Sequence, residues 1–291
     1  MAEELVGVIG GTGLGDALAE HLSDTVSHDV ETPFGKPSTD IIVGRLGAKR
    51  VAFLNRHGKG HKLSPSEVPF AANIFALKKL GVHALITTGA VGSLREEIAP
   101  GDLVLVDQLI DKTFRRQNSF FGGFAAVHCE MADPLCERLR KILLDTARTI
   151  DVKTHPKGAY VCIEGPQFST RAESLLHRAW GADLIGMTAM PEAKLAREAQ
   201  ICSALITLPS DYDCWRPHQR GQDKQTLLKE IIGNLRMATE NCLKLVSAVL
   251  QTDRQLVCED CHCRKSLDLA VWTDQTQIDQ ADKEKLKPLF E

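Results

Sequence analysis

Features that mark membrane, secreted and nucleic-acid-binding proteins are missing from this sequence. No stretch approaches about 18 consecutive apolar residues, the minimum for a membrane-spanning helix. The chain opens with acidic residues and a short apolar run, unlike a signal peptide. Positive charge is not in excess, since 35 Lys and Arg face 38 Asp and Glu. We therefore expect a cytoplasmic protein with no membrane and no nucleic-acid partner.

What the sequence does contain is the pattern of an ordinary globular α/β protein without internal repeats. Hydrophobic residues make up 43% of the 291 residues, enough to build a core. Short β-branched runs predict buried strands at residues 5–9, 40–43, 51–54, 84–88, 103–106, 159–163 and 201–207. Amphipathic segments between them predict helices, and this alternation indicates a single domain with a central mixed β-sheet surrounded by helices.

Local signals set the expected helix ends. Gly81 follows the apolar face of residues 68–77 as a C′ residue, and Asp133 is placed to cap a second helix. Thr170 and Glu173 have the spacing of a capping box. The last long helix is expected at about residues 223–250.

Beyond about residue 253 the sequence becomes polar, with scattered apolar residues. We predict one domain over residues 1–252 and a polar tail over 253–291, ordered in part at best. Its start holds Cys258, Cys261, His262 and Cys263, for which a zinc site, a local disulfide and free thiols all remain open. Structural zinc sites usually draw ligands from two separated segments, so the sequence favours free thiols and no metal.

Two segments after predicted strands are suited to an anion. Glycines around Thr12, directly after the first strand, allow close approach of an anion, but they lack the phase of a dinucleotide fingerprint and the Lys of a Walker loop. Arg56 and His57 follow another strand and could donate to phosphate oxygens. A simple turn and a solvated basic loop are the alternatives.

Three further segments complete the set of candidates. Gly89 and Ala90 follow a strand as a possible nest of backbone amides, the alternative being a tight turn. Phe168 could stack on a planar base. Asp211 and Asp213 lie two apart, so on an extended segment both would face one ligand edge, the alternative being solvated caps.

In this order, the segments resemble the purine nucleoside phosphorylase superfamily and, within it, the 5′-methylthioadenosine phosphorylases. The similar segments are TPFGKPS (32–38), RHGKGH (56–61), GSLREEI (92–98), PGD (100–102), IEGPQFSTRAES (163–174) and DYDCW (211–215). The resemblance covers about residues 5–250. It implies a nucleoside phosphorylase-like sheet that closes partly into a barrel, a homotrimer, and phosphorolysis of 5′-methylthioadenosine to adenine and 5-methylthioribose 1-phosphate. Inorganic phosphate is then a co-substrate, and no cofactor is expected.

The resemblance also assigns roles to individual residues. Phosphate is expected at Thr12, Arg56, His57, Gly89, Ala90 and Thr188. The purine is expected against Phe168, with Ser169, Asp211 and Asp213 at its edge, and the ribose at Met187. His128 is expected to reach the 5′ pocket of a neighbouring subunit, where Leu227 and Leu228 offer apolar surface.

The expected chemistry explains these residue types. Breaking the glycosidic bond builds positive charge on the sugar and negative charge on the purine, so phosphate stabilises the first and an acid at N7 the second. Asp211 is expected to hold that proton because of burial, and Asp213 to accept from the 6-amino group. Gly89 and Lys224 depart from the family pattern, which keeps adenosine or a 6-oxopurine nucleoside as the alternative substrate. A water-using nucleosidase would not need the anion site, and a non-enzymatic binder would not need the acid.

Overall fold

Eleven strands form one mixed sheet within residues 4–11, 14–217 and 223–290, the parts of the chain that the computed structural model describes. In chain order they are β1 (Leu5–Gly10), β2 (Ser23–His28), β3 (Ile41–Leu46), β4 (Lys49–Asn55), β5 (Ala84–Ser93), β6 (Leu103–Leu105), β7 (Gln108–Lys112), β8 (Thr154–His155), β9 (Ala159–Ile163), β10 (Leu184–Gly186) and β11 (Cys202–Asp211). The main path of the sheet is β2-β3-β4-β1-β5-β10-β9-β7, and β11 joins β5 to β6.

Helices cover both faces of this sheet. In the same described ranges they are α1 (Leu14–Ala19), α2 (Phe70–Lys79), α3 (Glu137–Thr149), α4 (Arg171–Ala179), α5 (Ala189–Glu198), α6 (Lys224–Leu250) and α7 (Gln280–Leu286), with short 3₁₀ helices at His262–Lys265, Gln275–Gln277 and Lys287–Phe290. None of the helices in these ranges is long and apolar enough to cross a membrane.

The sheet separates two layers of core, as strand alternation requires. In β1, Val8 belongs to the core cluster under α3 and α6, whereas the next residue, Ile9, belongs to the cluster under α2 and α5. Both residues are fully buried. Successive side chains of a strand face opposite sides, so a strand covered on both faces reads as a continuous apolar run. The predicted fold, a mixed sheet surrounded by helices, is confirmed.

Strand β5 organises the sheet because it has three neighbours. It runs parallel to β1 from Ala84 to Thr87 and antiparallel to β10 at Gly92 and Ser93. On its other side β11 pairs with it in parallel from Ala84 to Gly92. Among the described residues, 88–91 therefore have a strand neighbour on one side only. The sheet opens at this gap, next to the carboxyl ends of β1 and β4.

Several predicted helix ends are confirmed. The capping box of Thr170 and Glu173 is present at the start of α4, Asp223 caps α6, and Gly81 follows α2 with a φ of 91°. The start of α3 differs from the prediction at Asp133, because the backbone is still extended at Cys136. The Cys136 amide donates to the Ser203 carbonyl at 2.8 Å, which ties this residue to β11 and delays the helix.

The segment after residue 253 is also different from the weakly ordered tail that its composition predicts. Several of its apolar residues pack against the main core, with Leu256 and Leu289 fully buried and Leu267 at 5% exposure, whereas Leu269 is 94% exposed. Gln200 of the main body donates to the Leu289 carbonyl at 2.9 Å. The buried residues are widely spaced along the segment, so they show no helical or strand period.

Candidate active site

Several of the predicted site residues lie together at one edge of the sheet. Strands β1, β4, β5 and β11 run parallel to one another through the pairs β1–β4, β1–β5 and β5–β11. Their carboxyl ends therefore lie together, which is where α/β sheets bind ligands. Gly11, Arg56, Thr88 and Asp211 come from these four ends.

Arg56 is the buried centre of the anion end of the site. Its side chain is 1% exposed, and its Nε and Nη2 donate to the two carboxylate oxygens of Glu192 at 2.8 and 2.7 Å. Its Nη1 donates to the Thr88 carbonyl at 2.7 Å. These bonds use three of the five N–H groups of a guanidinium, which leaves two for an anion. Sequence reasoning missed Glu192, which follows Pro191 in α5 and carries no motif of its own.

Gly11 borders the same guanidinium. A Cβ atom at this position would lie 3.1 Å from Arg56 Nη1 and 3.0 Å from the Thr88 carbonyl oxygen. A side chain there would displace the arginine, so the site requires glycine for close approach. Thr12, the next predicted phosphate ligand, lies outside the described residues.

Gly89 and Ala90 lie within β5, so neither the nest of backbone amides expected after the strand nor its alternative, a tight turn, forms there. The strand continues to Ser93 because β11 pairs with it as far as Gly92 and β10 pairs with it at Gly92 and Ser93. Both residues instead occupy the gap between β1 and β10. Thr188 faces them, with its Oγ1 3.3 Å from the position that a Cβ of Gly89 would take. Thr188 is also the N-cap of α5, and its side chain makes no capping hydrogen bond there.

His57 lies beside Arg56 and is 6% exposed. Its Nδ1 is 2.8 Å from the Leu63 carbonyl oxygen, so Nδ1 carries the hydrogen and Nε2 is the free acceptor of the neutral ring. Burial lowers the pKa of His57 to about 4, which the bond to Leu63 opposes and the charge of Arg56 reinforces. The neutral ring cannot donate through Nε2. Nε2 can instead accept a hydrogen bond from a phosphate hydroxyl.

Asp211 and Asp213 stand at the other end of the site. Asp213 adopts a left-handed φ of 48°, so the extended segment assumed from the sequence is wrong. The two residues still meet, because the Asp213 amide donates to Asp211 Oδ1 at 2.7 Å. The Asp211 Oδ2 accepts from the Ser210 hydroxyl at 2.7 Å. Gly92 permits this arrangement, since a Cβ there would lie 3.1 Å from the Asp213 Cβ.

Helix α4 supports this carboxylate pair. The Ser174 hydroxyl donates to Asp213 Oδ2, and the Cys214 thiol contacts the Ser169 carbonyl at 3.3 Å. The Ser169 Oγ atom is buried without a hydrogen-bond partner among the described residues. A buried hydroxyl of this kind is available to a ligand. Phe168, next to it, is 87% exposed, so the chain alone leaves this wall of the site open.

Met187 directly precedes Thr188 and lies beside Gly165. Its sulfur would be 2.6 Å from a Cβ at Gly165, and its carbonyl accepts from Arg116 Nη1 at 2.7 Å. Arg116 also forms an ion pair with Glu164, whose Nε–Oε1 distance is 3.4 Å. Although burial opposes it, hydrogen bonds from Ser66 and from the Phe114 amide, with the charge of Arg116, lower the pKa of Glu164 to about 2. Sequence reasoning missed this network, which holds the backbone of Met187.

The remaining predicted residues lie at the margin. Leu227 and Leu228 are in the first turn of α6, and Leu228 is 57% exposed. His128 lies apart from the other candidates in the contacts of the described chain. Its amide donates to the Ala270 carbonyl at 2.9 Å, and its ring contacts Trp272 edge-on with centroids 5.5 Å apart.

The two ends of the site have a separation suited to a nucleoside. Gly89, beside the arginine, and Gly92, beside the carboxylates, are three residues apart on β5, or about 10 Å at the rise of a strand. One ribose ring fits between an anion and the edge of a base at this distance. This fold and site form an α/β protein in which a buried arginine and a pair of carboxylates are placed where an anion and a polar planar group could bind side by side.

Comparisons with known proteins agree with this class. Residues 5–251 match the family described as the phosphorylase superfamily. The chain belongs to this superfamily and is accordingly an enzyme. An S-methyl-5′-thioadenosine phosphorylase of Gloeobacter violaceus is 45% identical over 289 residues, which cover 98% of this chain and 94% of that one.

Solved structures are similar over the same extent. A methylthioadenosine phosphorylase from an antarctic soil metagenomic library has a TM-score of 0.87 at 41% identity, with both chains covered completely. The methylthioadenosine phosphorylase of Schistosoma mansoni in complex with adenine has a TM-score of 0.79 at 36% identity, covering 85% of this chain and 91% of that one.

Proposed function

We propose that this enzyme cleaves 5′-methylthioadenosine with inorganic phosphate to adenine and 5-methylthioribose 1-phosphate. The observation that carries the proposal is the placement of the buried Arg56 at one end of the gap in β5 and of two carboxylates, Asp211 and Asp213, at the other end. The names of the relatives support methylthioadenosine over the alternative substrates. Cleavage of the glycosidic bond and capture of the sugar by phosphate require no cofactor.

At the anion end, phosphate would bind beside Arg56, Thr188 and the edge of β5 that has no strand neighbour. The guanidinium would donate its two remaining N–H groups, and the Thr188 hydroxyl a further bond. Glu192 keeps the guanidinium in place and partly balances its charge, so binding does not require the arginine to reorganise. His57 would accept a hydrogen bond from the phosphate hydroxyl through Nε2, which orients the anion.

At the base end, the carboxylates would recognise adenine. Asp211 takes up a proton and donates it to N7 as negative charge reaches the departing purine. The second oxygen of Asp213 accepts from the 6-amino group, because its first oxygen already accepts from Ser174. The unpartnered Ser169 hydroxyl and the ring of Phe168 complete the contacts to the base.

We also propose that the enzyme is a homotrimer and that a neighbouring subunit closes the 5′ pocket. Large apolar side chains at the open margin support this arrangement, including Phe168 at 87% exposure and Leu228 at 57%. His128 is itself exposed, and the contacts of its amide and ring within the described residues are with Ala270 and Trp272. Its partner site would therefore belong to another copy of the chain.

One assay tests the reaction. Release of free base is measured from methylthioadenosine, adenosine and inosine, each with and without phosphate. We expect methylthioadenosine to give the largest kcat/KM and release to stop when phosphate is removed. Equal release without phosphate would identify a nucleosidase, and binding without release would identify a non-enzymatic nucleoside binder. A preference for inosine would overturn the assignment of Asp213.

A further inference from the structure

The described residues include a cluster of four cysteines that the proposed reaction does not use. Its members, called the four-cysteine cluster below, are Cys136, Cys202, Cys261 and Cys263. All four sulfur atoms lie within 4.8 Å of one another. Three of the side chains are at most 1% exposed, and Cys261 is half-buried.

The spacing of the sulfurs matches a tetrahedral metal ion. Zinc binds thiolates at about 2.3 Å, which places neighbouring sulfurs of a tetrahedron about 3.8 Å apart. The Cys136 and Cys261 sulfurs are 3.8 Å apart. Disulfides would bring sulfurs together only in pairs, at about 2.05 Å, and would not require all four to be mutually close. All four thiols are free in the structure.

The ligands come from three separated parts of the chain, which sequence reasoning could not see. Cys136 is the N-cap of α3, Cys202 begins β11, and Cys261 and Cys263 flank His262 in the segment after residue 253. The sequence showed Cys258, Cys261, His262 and Cys263 within one short segment, so it favoured free thiols and no metal. Tertiary structure supplies the second pair, which is the separated arrangement typical of structural zinc sites.

The surroundings balance the charge of bound thiolates. Arg197 is 3% exposed, and its Nη1 contacts the Cys263 sulfur at 3.6 Å. Donors of this kind to a ligand sulfur are the usual outer layer of a thiolate site. At the N-terminus of α3 the helix dipole also favours a thiolate at Cys136.

We propose that the four-cysteine cluster binds one Zn²⁺ ion as four thiolates and that the ion clamps the C-terminal segment to the core. Each of the four thiols releases its proton to solvent as it binds. The ion holds Cys261 and Cys263, at the start of residues 261–272, against the core. At the end of this segment the Trp272 ring contacts the His128 ring. The metal is structural, and the proposal stands whether or not the proposed reaction is correct.

Metal content of the intact chain tests the proposal. Protein produced with zinc in the medium and purified under reducing conditions is expected to hold about one zinc per chain by elemental analysis. Cys202→Ser and Cys261→Ser are expected to lower this content roughly ten-fold. Cys258→Ser is the matched control, because Cys258 lies in the same segment but outside the cluster, and it should keep the zinc. If Cys202→Ser and Cys261→Ser hold as much zinc as the control Cys258→Ser, the proposal is wrong.

A second measurement does not depend on whether the variants fold. The unaltered chain is freed of metal with a chelator and reductant, then titrated with Co²⁺ and with Zn²⁺ alone. Cobalt should give the absorption bands of tetrahedral thiolate coordination, one equivalent of zinc should abolish them, and zinc should raise the Tm. The proposal is wrong if no such bands develop, or if mass spectrometry finds Cys136 and Cys202 joined by a disulfide in protein produced with zinc under reducing conditions.

Discussion

Arg56 and Glu192 form a two-point ion pair across 136 residues of sequence, with N–O distances of 2.8 and 2.7 Å. Both side chains are buried, at 1% and 2% exposure. A buried charge that loses its partner is strongly destabilising, so the two residues depend on each other. The pair thereby fixes the direction in which the guanidinium presents its remaining donors to the gap in β5.

Replacing Glu192 by Gln should leave the Arg56 charge without a counter-charge. We expect the free energy of unfolding to fall by about 3 kcal/mol. Phosphate should restore part of this loss because it supplies negative charge at the same guanidinium. Thermal unfolding with and without phosphate measures the effect. Glu198→Gln is the control, since Glu198 is also buried in α5 but accepts from the Phe120 amide, and phosphate should raise its Tm no more than that of the parent. If phosphate raises the Tm of Glu192→Gln by no more than it raises the Tm of the parent, the prediction is wrong.

The neutral state of His57 should make stability depend on pH. Burial lowers its pKa from 6.5 to about 4 in the folded chain, so the unfolded state binds more protons between these values. The stabilising contribution is fully present above pH 6.5 and is lost as the pH falls toward 4. His57→Asn should reduce this loss by on the order of 2 kcal/mol, because the amide can still donate to Leu63 but does not titrate.

Urea unfolding at pH 7 and at pH 4.5 checks the His57 prediction. His83 is the natural comparison, since burial, Lys78 and Arg264 also lower its pKa to about 4. A His83→Gln variant should retain the part of the acid sensitivity that belongs to His57. If parent and His57→Asn lose the same stability on acidification, His57 is not the group responsible.

Substitutions in the carboxylate pair should affect different properties: the rate of cleavage at Asp211 and the choice of base at Asp213. Asp211→Ala should lower kcat about 10²-fold or more, because its contact strengthens as charge reaches the purine. Asp213→Asn should instead reduce cleavage of adenine nucleosides and improve inosine relative to them, since the amide can also donate. The measurement is kcat/KM for methylthioadenosine, adenosine and inosine. An unchanged substrate ratio in Asp213→Asn would show that Asp213 does not read the 6-position.

Mixing two inactive variants should test the shared 5′ pocket. Asp211→Ala and His128→Ala each spoil every site of their own trimers. In a reassembled mixture, a site that takes Asp211 from one chain and His128 from its neighbour can be intact. About a quarter of the sites are expected to recover in a 1:1 mixture of cyclic trimers. Recovery needs exchange of subunits, which mass spectrometry of isotope-labelled chains confirms. Exchange without recovered activity would place His128 outside the neighbour's site.

The sequence alone determined the features that depend on local order. Apolar runs predicted the central strands, the Thr170 capping box marked a helix start correctly, and the last long helix begins where its pattern predicts. The motifs that follow predicted strands indicated which loops lie together, because the carboxyl ends of parallel strands lie at the same edge of a sheet. The phosphorylase resemblance followed from these same segments, since glycines, basic residues and acids stand at fixed places in the chain.

Only the tertiary structure decided which groups pair across long distances. Glu192 has no local signal, yet it occupies two of the donors on Arg56. Gly89 and Ala90 continue a strand because β11, more than 100 residues later, pairs with them. The left-handed turn at Asp213 and the four-cysteine cluster have the same origin. Side chains and strands far apart in sequence form these contacts, and no period or spacing within one segment records them.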